Sequence, residues 1–505
     1  MKILNKNILR SVLVLSYIII ISIIILGISS VFSYLNTGAD RSNMLHTEIK
    51  KIEQYLPKLE WEPLKNEGRP MDLQTLKSIE TDYLDAWYVK HVAYKTNTTK
   101  GVDDYYTENA RSSIYSIVET NSNENITIDG TTLEHHLTLE FFSEDGQLVV
   151  LRDSNVLEYK RIYQENNVLL ETKELTTYKV ILLLEDGVWR IRHLIKEQTA
   201  PYKNKFKPAE NIITKIKGIN YYPQATPWNL YGDDFDDNII SKDFKIIKES
   251  GLNSIRIFVP YEDFGLANVK PEKLQKLKKV LDIAALHELK VIVTLFDFYG
   301  DYEVLNWTLN QHHAINIVSA LKNHKALLAW DIKNEPNLDF ENRGKIKVTA
   351  WAKQMIASVK SIDTIHPVTI GWSNTESATI LKDNLDFVSF HYYEDLDALE
   401  TEYQNLKTDI PNKPIVVTEF GISSYRGLWN PFGNSEDDQA AYYKQAQAVF
   451  SKNNMSFMSW TLYDFTEIPK EVVGRLPWRK QAQEYFGFIN QNGETKPAFK
   501  YISKE

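Results

Sequence analysis

Apolar and polar positions change their period three times along this chain. From Ser11 to Ala39 no charged residue occurs, and the core of that run, SVLVLSYIIIISIIILGISSVFSYL, is rich in Ile, Leu and Val. It is long enough to span a bilayer, which takes about 20 residues. Lys2, Lys6 and Arg10 precede it, and the basic side of a span stays cytoplasmic, so the rest of the chain falls outside. The pattern predicts a basic cytoplasmic tail over 1–10 and a transmembrane anchor over 11–34. The alternative is a signal peptide cleaved near Gly27, Ser29 and Ser30, although the apolar part of such a peptide is shorter, roughly 7–15 residues. Both readings export the working parts to a periplasmic or extracellular side.

The second pattern begins past the linker prolines Pro57, Pro63 and Pro70. Leu73, Leu76, Ile79, Tyr83 and Trp87 recur at spacings of three and four, which predicts an amphipathic helix. A further helix is expected over 102–118. After Asp129-Gly130 the period drops to two. LEHHLTLEFF and GQLVVLRD flank Asp145-Gly146, and TTYKVILLLE and VWRIRHLIKE flank Asp186-Gly187; Asp-Gly between β-rich runs signals a hairpin. Helices followed by hairpins make an α+β domain, here over 70–200. His135 and His136 are neighbours on one strand and face opposite sides, so they do not read as a metal pair. The element order and the closing GVWRIRHL strand resemble the cone-shaped nuclear-transport-factor-2-like fold. That resemblance implies a pocket for a ligand or a dimer contact. Without it, the domain reads as a spacer beside the membrane.

The third pattern follows a linker, PYKNKFKPAEN, and occupies 213–505. Apolar runs alternate with helical stretches: KIKGINYYP, NSIRIFVP, KVIVTLFD, LLAWDIKNEP, PVTIGW, DFVSFHYY, PIVVTEFG and MSFMSWTLYDF. Helices are expected between them, among others over 239–250, 271–288, 343–362 and 437–453. Eight strands separated by helices match a (β/α)8 TIM barrel, in the α/β class. The alternation alone also permits an open doubly wound sheet. The barrel is favoured because no glycine-rich dinucleotide loop is present and because polar or aromatic groups close nearly every strand.

Composition narrows the function. Net charge is −9 with no basic block, which excludes a nucleic-acid partner that needs a basic face. There is no cysteine, so disulfides and thiol chemistry are excluded. The 11 Trp and 28 Tyr residues suit a carbohydrate cleft as well as a large core.

The candidate chemistry lies at two strand ends. LLAWDIKNEP carries Asn334, Glu335 and Pro336, and PIVVTEFG carries Glu419. In a parallel barrel both carboxylates face one mouth. Two carboxylates across a cleft suit glycoside hydrolysis: one protonates the leaving oxygen, and the other attacks or activates water.

Asn-Glu-Pro after a fourth strand and a Glu in TEFG after a seventh resemble the clan A glycoside hydrolases, most closely the family 5 cellulase and mannanase type, over about 213–505. Arg256 at the end of strand two, His391 and Tyr393 as a His-x-Tyr pattern after strand six, and Trp460 in strand eight fit the same pattern. The resemblance implies a retaining β-glycosidase. Glu335 would be the general acid/base and hold a proton near neutral pH; Glu419 would be the nucleophile and stay ionised. Arg256 and the Tyr393 hydroxyl would favour the ionised nucleophile, Asn334 would bind the sugar 2-hydroxyl, and His391 would bind the acid/base or the sugar. Trp460 would form an apolar platform for a pyranose ring. The bland alternatives are a buried Arg256–glutamate core pair, a His391 that caps a backbone carbonyl, and a Trp460 in the core.

One departure concerns strand three. Many family 5 members carry a histidine near its end, whereas here it reads Leu295-Phe296-Asp297-Phe298-Tyr299, leaving Asp297 or Tyr299 to make that sugar contact. The implied substrate is an extracytoplasmic β-linked polysaccharide or oligosaccharide of glucan or mannan type, cleaved without metal or organic cofactor. Transglycosylation on the same scaffold and a non-catalytic, membrane-anchored glycan-binding protein are the alternatives.

Overall fold

The computed structural model describes residues 14–28 and 55–504, apart from 166, 205, 212, 214 and 475. The basic tail at 1–10 lies outside the described residues. Residues 14–28 form a helix whose large apolar side chains, from Val14 to Ile28, are all exposed. At 1.5 Å per residue these described residues cover about 22 Å. Among the described residues no helix is long and apolar enough to cross a membrane.

The next unit opens with two short strands in the region expected as a linker, then turns helical, then β. Strand β1 (Lys58–Trp61) and the short β2 (Glu67–Gly68) pair in parallel with β3 (Ile126–Phe142). β4 (Leu148–Gln164), β5 (Asn167–Glu185) and β6 (Val188–Pro201) extend the sheet antiparallel, in the order β1-β3-β4-β5-β6. Both Asp-Gly hairpins form. At the second, Glu185 pairs with Val188 and both loop residues have positive φ (53° and 83°), the geometry that matches the strand twist.

A helix over Leu73–Thr96 starts at Asp72, whose carboxylate caps the amide of Thr75. It lays Ile79, Tyr83, Ala86 and Trp87 onto the sheet residues Leu137, Leu139, Val149, Leu151, Val180 and Leu182. The helix expected over 102–118 is instead two, Val102–Tyr105 and Glu108–Asn123, because Tyr106 is extended (φ −129°, ψ 134°) and Thr107 restarts the turn. His135 is buried and His136 partly open, on opposite faces as period two requires.

The C-terminal unit is a closed barrel of eight parallel strands: β7 (Lys217–Asn220), β8 (Ser254–Pro260), β9 (Lys290–Asp297), β10 (Leu327–Asn334), β11 (Val368–Trp372), β12 (Val388–Tyr392), β13 (Ile415–Phe420) and β14 (Ser456–Ser459). All eight apolar runs supply a strand. The helices Asp237–Glu249, Pro271–Leu286, Lys345–Ile362 and Glu436–Lys452 fall within two residues of the expected spans and pack their buried stripes onto the strands. Inside the barrel, Ile292, Ala329, Phe387, Val416 and Met458 form a separate apolar layer.

The two units are not held apart. Leu133, Leu157 and Tyr159 of the α+β unit belong to the barrel's own core, and the rings of Tyr159 and Trp307 lie 4.4 Å apart. The connecting segment runs along the barrel, with Glu210 and Asn211 donating backbone hydrogen bonds to Thr364 and Ile365.

Candidate active site

The barrel strands deliver polar side chains above the apolar layer, and two β-bulges set their aim. The β12–β13 ladder pairs Phe390 with Val417 and then His391 with Glu419, passing over Thr418. Without the extra residue, period two would turn Glu419 to the other face. A similar shift between Asp331 and Asn334 interrupts the β10–β11 ladder.

Arg256 sits at the centre, fully buried on β8. Its Nε and Nη2 donate to Oδ2 of Asp331 (3.0 and 2.6 Å). Nη2 also donates to Oδ1 of Asn334 (2.9 Å), while Nη1 donates to Oδ1 of Asn220 (3.1 Å) and Oε1 of Glu419 (2.6 Å). Burial alone would weaken the charge, but Asp331 and Glu419 overcome it and hold the guanidinium above its usual range. A buried charge is tolerable only with such partners.

Asp331 is completed by the Thr294 hydroxyl (2.9 Å) and the Gly371 amide (3.0 Å). Gly371 has to be small: a Cβ there would come within 2.8 Å of Arg256 Nη2 and 3.0 Å of His391 Nε2.

Glu419 is 5% exposed, and its second oxygen accepts from the Tyr393 hydroxyl at 3.0 Å. Burial of that hydroxyl, then the charges of Glu419 and Glu335, hold the phenol well above its ordinary value; Tyr393 is therefore a donor here, although 43% of its surface is open. Glu335 follows β10 in a left-handed conformation (φ 46°, ψ 51°), strained for a non-glycine residue. Its amide donates to the Gly371 carbonyl (2.7 Å) and its Oε1 meets His391 Nδ1 at 2.9 Å. The same Nδ1 is 3.5 Å from Glu419 Oε2. His391 thus contacts both carboxylates rather than capping a carbonyl.

Asn334, Glu335, Tyr393 and Glu419 line a cleft of about 430 Å³, with Arg256 and His391 buried behind them. Its apolar walls include Tyr222, Trp228, Phe258, Phe298 and Trp460. Trp460 is both well buried, at 6% exposure, and cleft-lining. Asp297 also lines it, whereas Tyr299 does not: its hydroxyl donates to Asn310 and its ring stacks on Trp351. Of the other tryptophans, Trp228 lines the cleft, while Trp307 and Trp372 are buried.

Single donor atoms of Glu335, His391 and Glu419 all lie within 4.8 Å of one another, close enough to hold a metal ion. A cation there would compete with Arg256, already 2.6 Å from Glu419, so the chemistry of the set fits a metal poorly.

Sequence reasoning passed over Asp331, Asn220 and Gly371. A signal for Asp331 was present: a charge inside an apolar strand, with an opposite charge, Arg256, inside another, has to find a partner. Asn220 and Gly371 carry no such mark.

A closed parallel barrel with paired carboxylates at the strand ends is the arrangement of the clan A glycoside hydrolases. Within that clan this chain belongs to the cellulase family, glycosyl hydrolase family 5, which it matches over residues 211–466. Among curated proteins it is 24% identical to the β-glucuronidase of Felis catus over 281 residues, covering 51% of this chain and 40% of the relative. The Homo sapiens β-glucuronidase is 24% identical over 279 residues, with the same coverage. The chain thus spans about two fifths of the length of the curated relatives it matches. Among solved structures, the exo-β-1,4-mannosidase from Opitutaceae bacterium strain TAV5 aligns with a TM-score of 0.49 and 16% identity, over 59% of this chain and 60% of that one.

Proposed function

We propose that this protein is a retaining glycoside hydrolase acting on a β-linked glycan, with Glu335 as acid/base and Glu419 as nucleophile. The observation that carries the reading is the approach of the two glutamates, whose oxygens lie within 4.8 Å of each other and of His391 Nδ1. A retaining pair stands about 5–5.5 Å apart, whereas inversion needs roughly 6.5–9.5 Å to admit a water.

The surroundings divide the roles. Arg256 and the Tyr393 hydroxyl both donate to Glu419, which fixes its carboxylate and aims it for attack. Glu335 contacts His391, is less buried than Glu419, and delivers its proton to the leaving oxygen. Glycosylation forms the Glu419–sugar ester and expels the alcohol protonated by Glu335. Glu335 then takes a proton from water, which attacks the sugar and releases Glu419. Asn334, fixed by Arg256, contacts the sugar 2-hydroxyl, and Trp460 supports the ring. Asp297 takes the place of the histidine common after strand three.

The apolar run over 11–34 serves as a membrane anchor in this proposal, with the barrel outside the cytoplasm. Support is the helix over 14–28 with its exposed Ile and Leu side chains. Release of the full chain from membranes by alkaline carbonate would sink that part.

The deciding assay uses aryl β-glycosides and β-glucan and mannan oligosaccharides, with Glu335→Ala and Glu419→Ala alongside. Turnover lost with Glu419→Ala on every substrate, and with Glu335→Ala on the oligosaccharides, supports the hydrolase, and the best substrate names the sugar. Oligosaccharide binding without turnover in the unaltered protein would favour the glycan-binding alternative.

A further inference from the structure

The α+β unit touches the barrel at one place that matters for the cleft. Segment 298–306 connects β9 to the helix Trp307–Leu321, and its first residue, Phe298, is a cleft wall. Glu303 in this segment is gripped from two sides. Lys95, on the last turn of the long α+β helix, pairs with its Oε2, and Lys347 of the barrel donates to its Oε1 at 2.8 Å. Asp129 on β3 adds a second anion 3.5 Å from Lys95. Just beyond, Trp307 packs against Tyr159 of β4 and donates to the Tyr302 carbonyl (3.4 Å).

From Tyr302 the contacts lead to the acid/base. The Tyr302 hydroxyl donates to Asp339, which lies 3.6 Å from Lys333 of β10. Asp339 closes the short turn Pro336–Asp339 that begins at Glu335, and within it the Leu338 amide donates to the Glu335 carbonyl (3.2 Å). Glu335 holds a left-handed backbone that its surroundings have to enforce.

We propose that the α+β unit is a positioning element of the cleft, in which Lys95, through Glu303, Tyr302 and Asp339, holds the turn that aims Glu335. The idea rests on the hydrolase reading for its catalytic consequence but not for its mechanical one. Lys95 and Glu303 are positioning residues: neither lines the cleft.

The test uses the full chain with Lys95→Met, Glu303→Gln and the conservative Lys95→Arg, and reads two quantities. Hydrogen exchange should rise in 298–306 and also in 336–344 for the first two variants, and return toward normal for Lys95→Arg. Separately, kcat/KM should fall about 10-fold for an aryl glycoside with a poor leaving group, which needs a well-placed acid. It should fall less than about 2-fold for the 2,4-dinitrophenyl glycoside, whose leaving group departs without protonation. Faster exchange confined to 298–306, or equal losses on both substrates, would overturn the proposal. If the unaltered protein hydrolyses neither glycoside, the hydrolase reading falls, and the exchange data still decide whether Lys95 holds the Glu335 turn. Should Lys95→Met not fold, Glu303→Gln carries the same comparison.

Discussion

Nη1 of Arg256 lies 2.6 Å from Oε1 of Glu419, with the guanidinium fully buried and the carboxylate nearly so. The same guanidinium also neutralises Asp331, so one cation serves two buried anions. Removing one member of such a set strands the others, which costs about 3–5 kcal/mol. Arg256→Met should therefore lower the urea unfolding free energy by about that amount and abolish turnover. A loss below about 1 kcal/mol would mean that the anions find water or protons when the arginine is gone.

Glu335→Ala separates acid catalysis from nucleophilic attack. With 2,4-dinitrophenyl glycosides, kcat/KM should stay within about 10-fold of the unaltered enzyme, whereas poor leaving groups should lose about 10²–10⁴-fold. Added azide attacks a glycosyl-enzyme without a general base, so it should restore turnover and yield the β-glycosyl azide. An α-azide product would contradict a Glu419 ester intermediate.

Tyr393→Phe removes the hydroxyl 3.0 Å from Glu419 while keeping the ring beside Phe486. A hydrogen bond to a charged group contributes about 1.5–3 kcal/mol. Turnover should fall by about 10–100-fold with the melting temperature little changed. Unchanged kinetics would remove Tyr393 from the site.

Asp243 predicts a pH dependence away from the cleft. Burial raises its carboxyl to about 6, against the hydrogen bonds from Tyr463 and Tyr221 that lower it. Between about pH 4 and 6 the folded group keeps a proton that the unfolded chain, with an ordinary carboxyl, has released. The native state then binds more protons, so stability falls as pH rises through that window, by up to about 3 kcal/mol. Chemical denaturation of Asp243→Asn at pH 4 and pH 7 should show a smaller difference than in the unaltered chain. An identical difference would assign the dependence to other groups, Asp464 foremost, which burial also raises to about 6.

Much of this protein is written locally. Eight apolar runs specify eight buried strands because burial on both faces demands continuous apolar sequence, and every run supplies a barrel strand. Asp186-Gly187 specifies its hairpin because both residues tolerate positive φ. Glu335 and Glu419 stand out because a carboxylate at the end of an apolar strand has no local reason to be there.

The tertiary structure decided what depends on pairing between distant segments. The bulge at Thr418 turns Glu419 toward His391, and register between strands is a property of two strands, legible in neither alone. Asp331 and Asn220 join the site because Arg256, 75 and 36 residues away, needs buried partners. Asp297 reaches the cleft while Tyr299 turns into the core against Trp351, a choice made by packing. Lys95 meets Glu303 across 208 residues. Sequence periodicity reports which face of an element is apolar; it carries no information on which charge a buried charge will find.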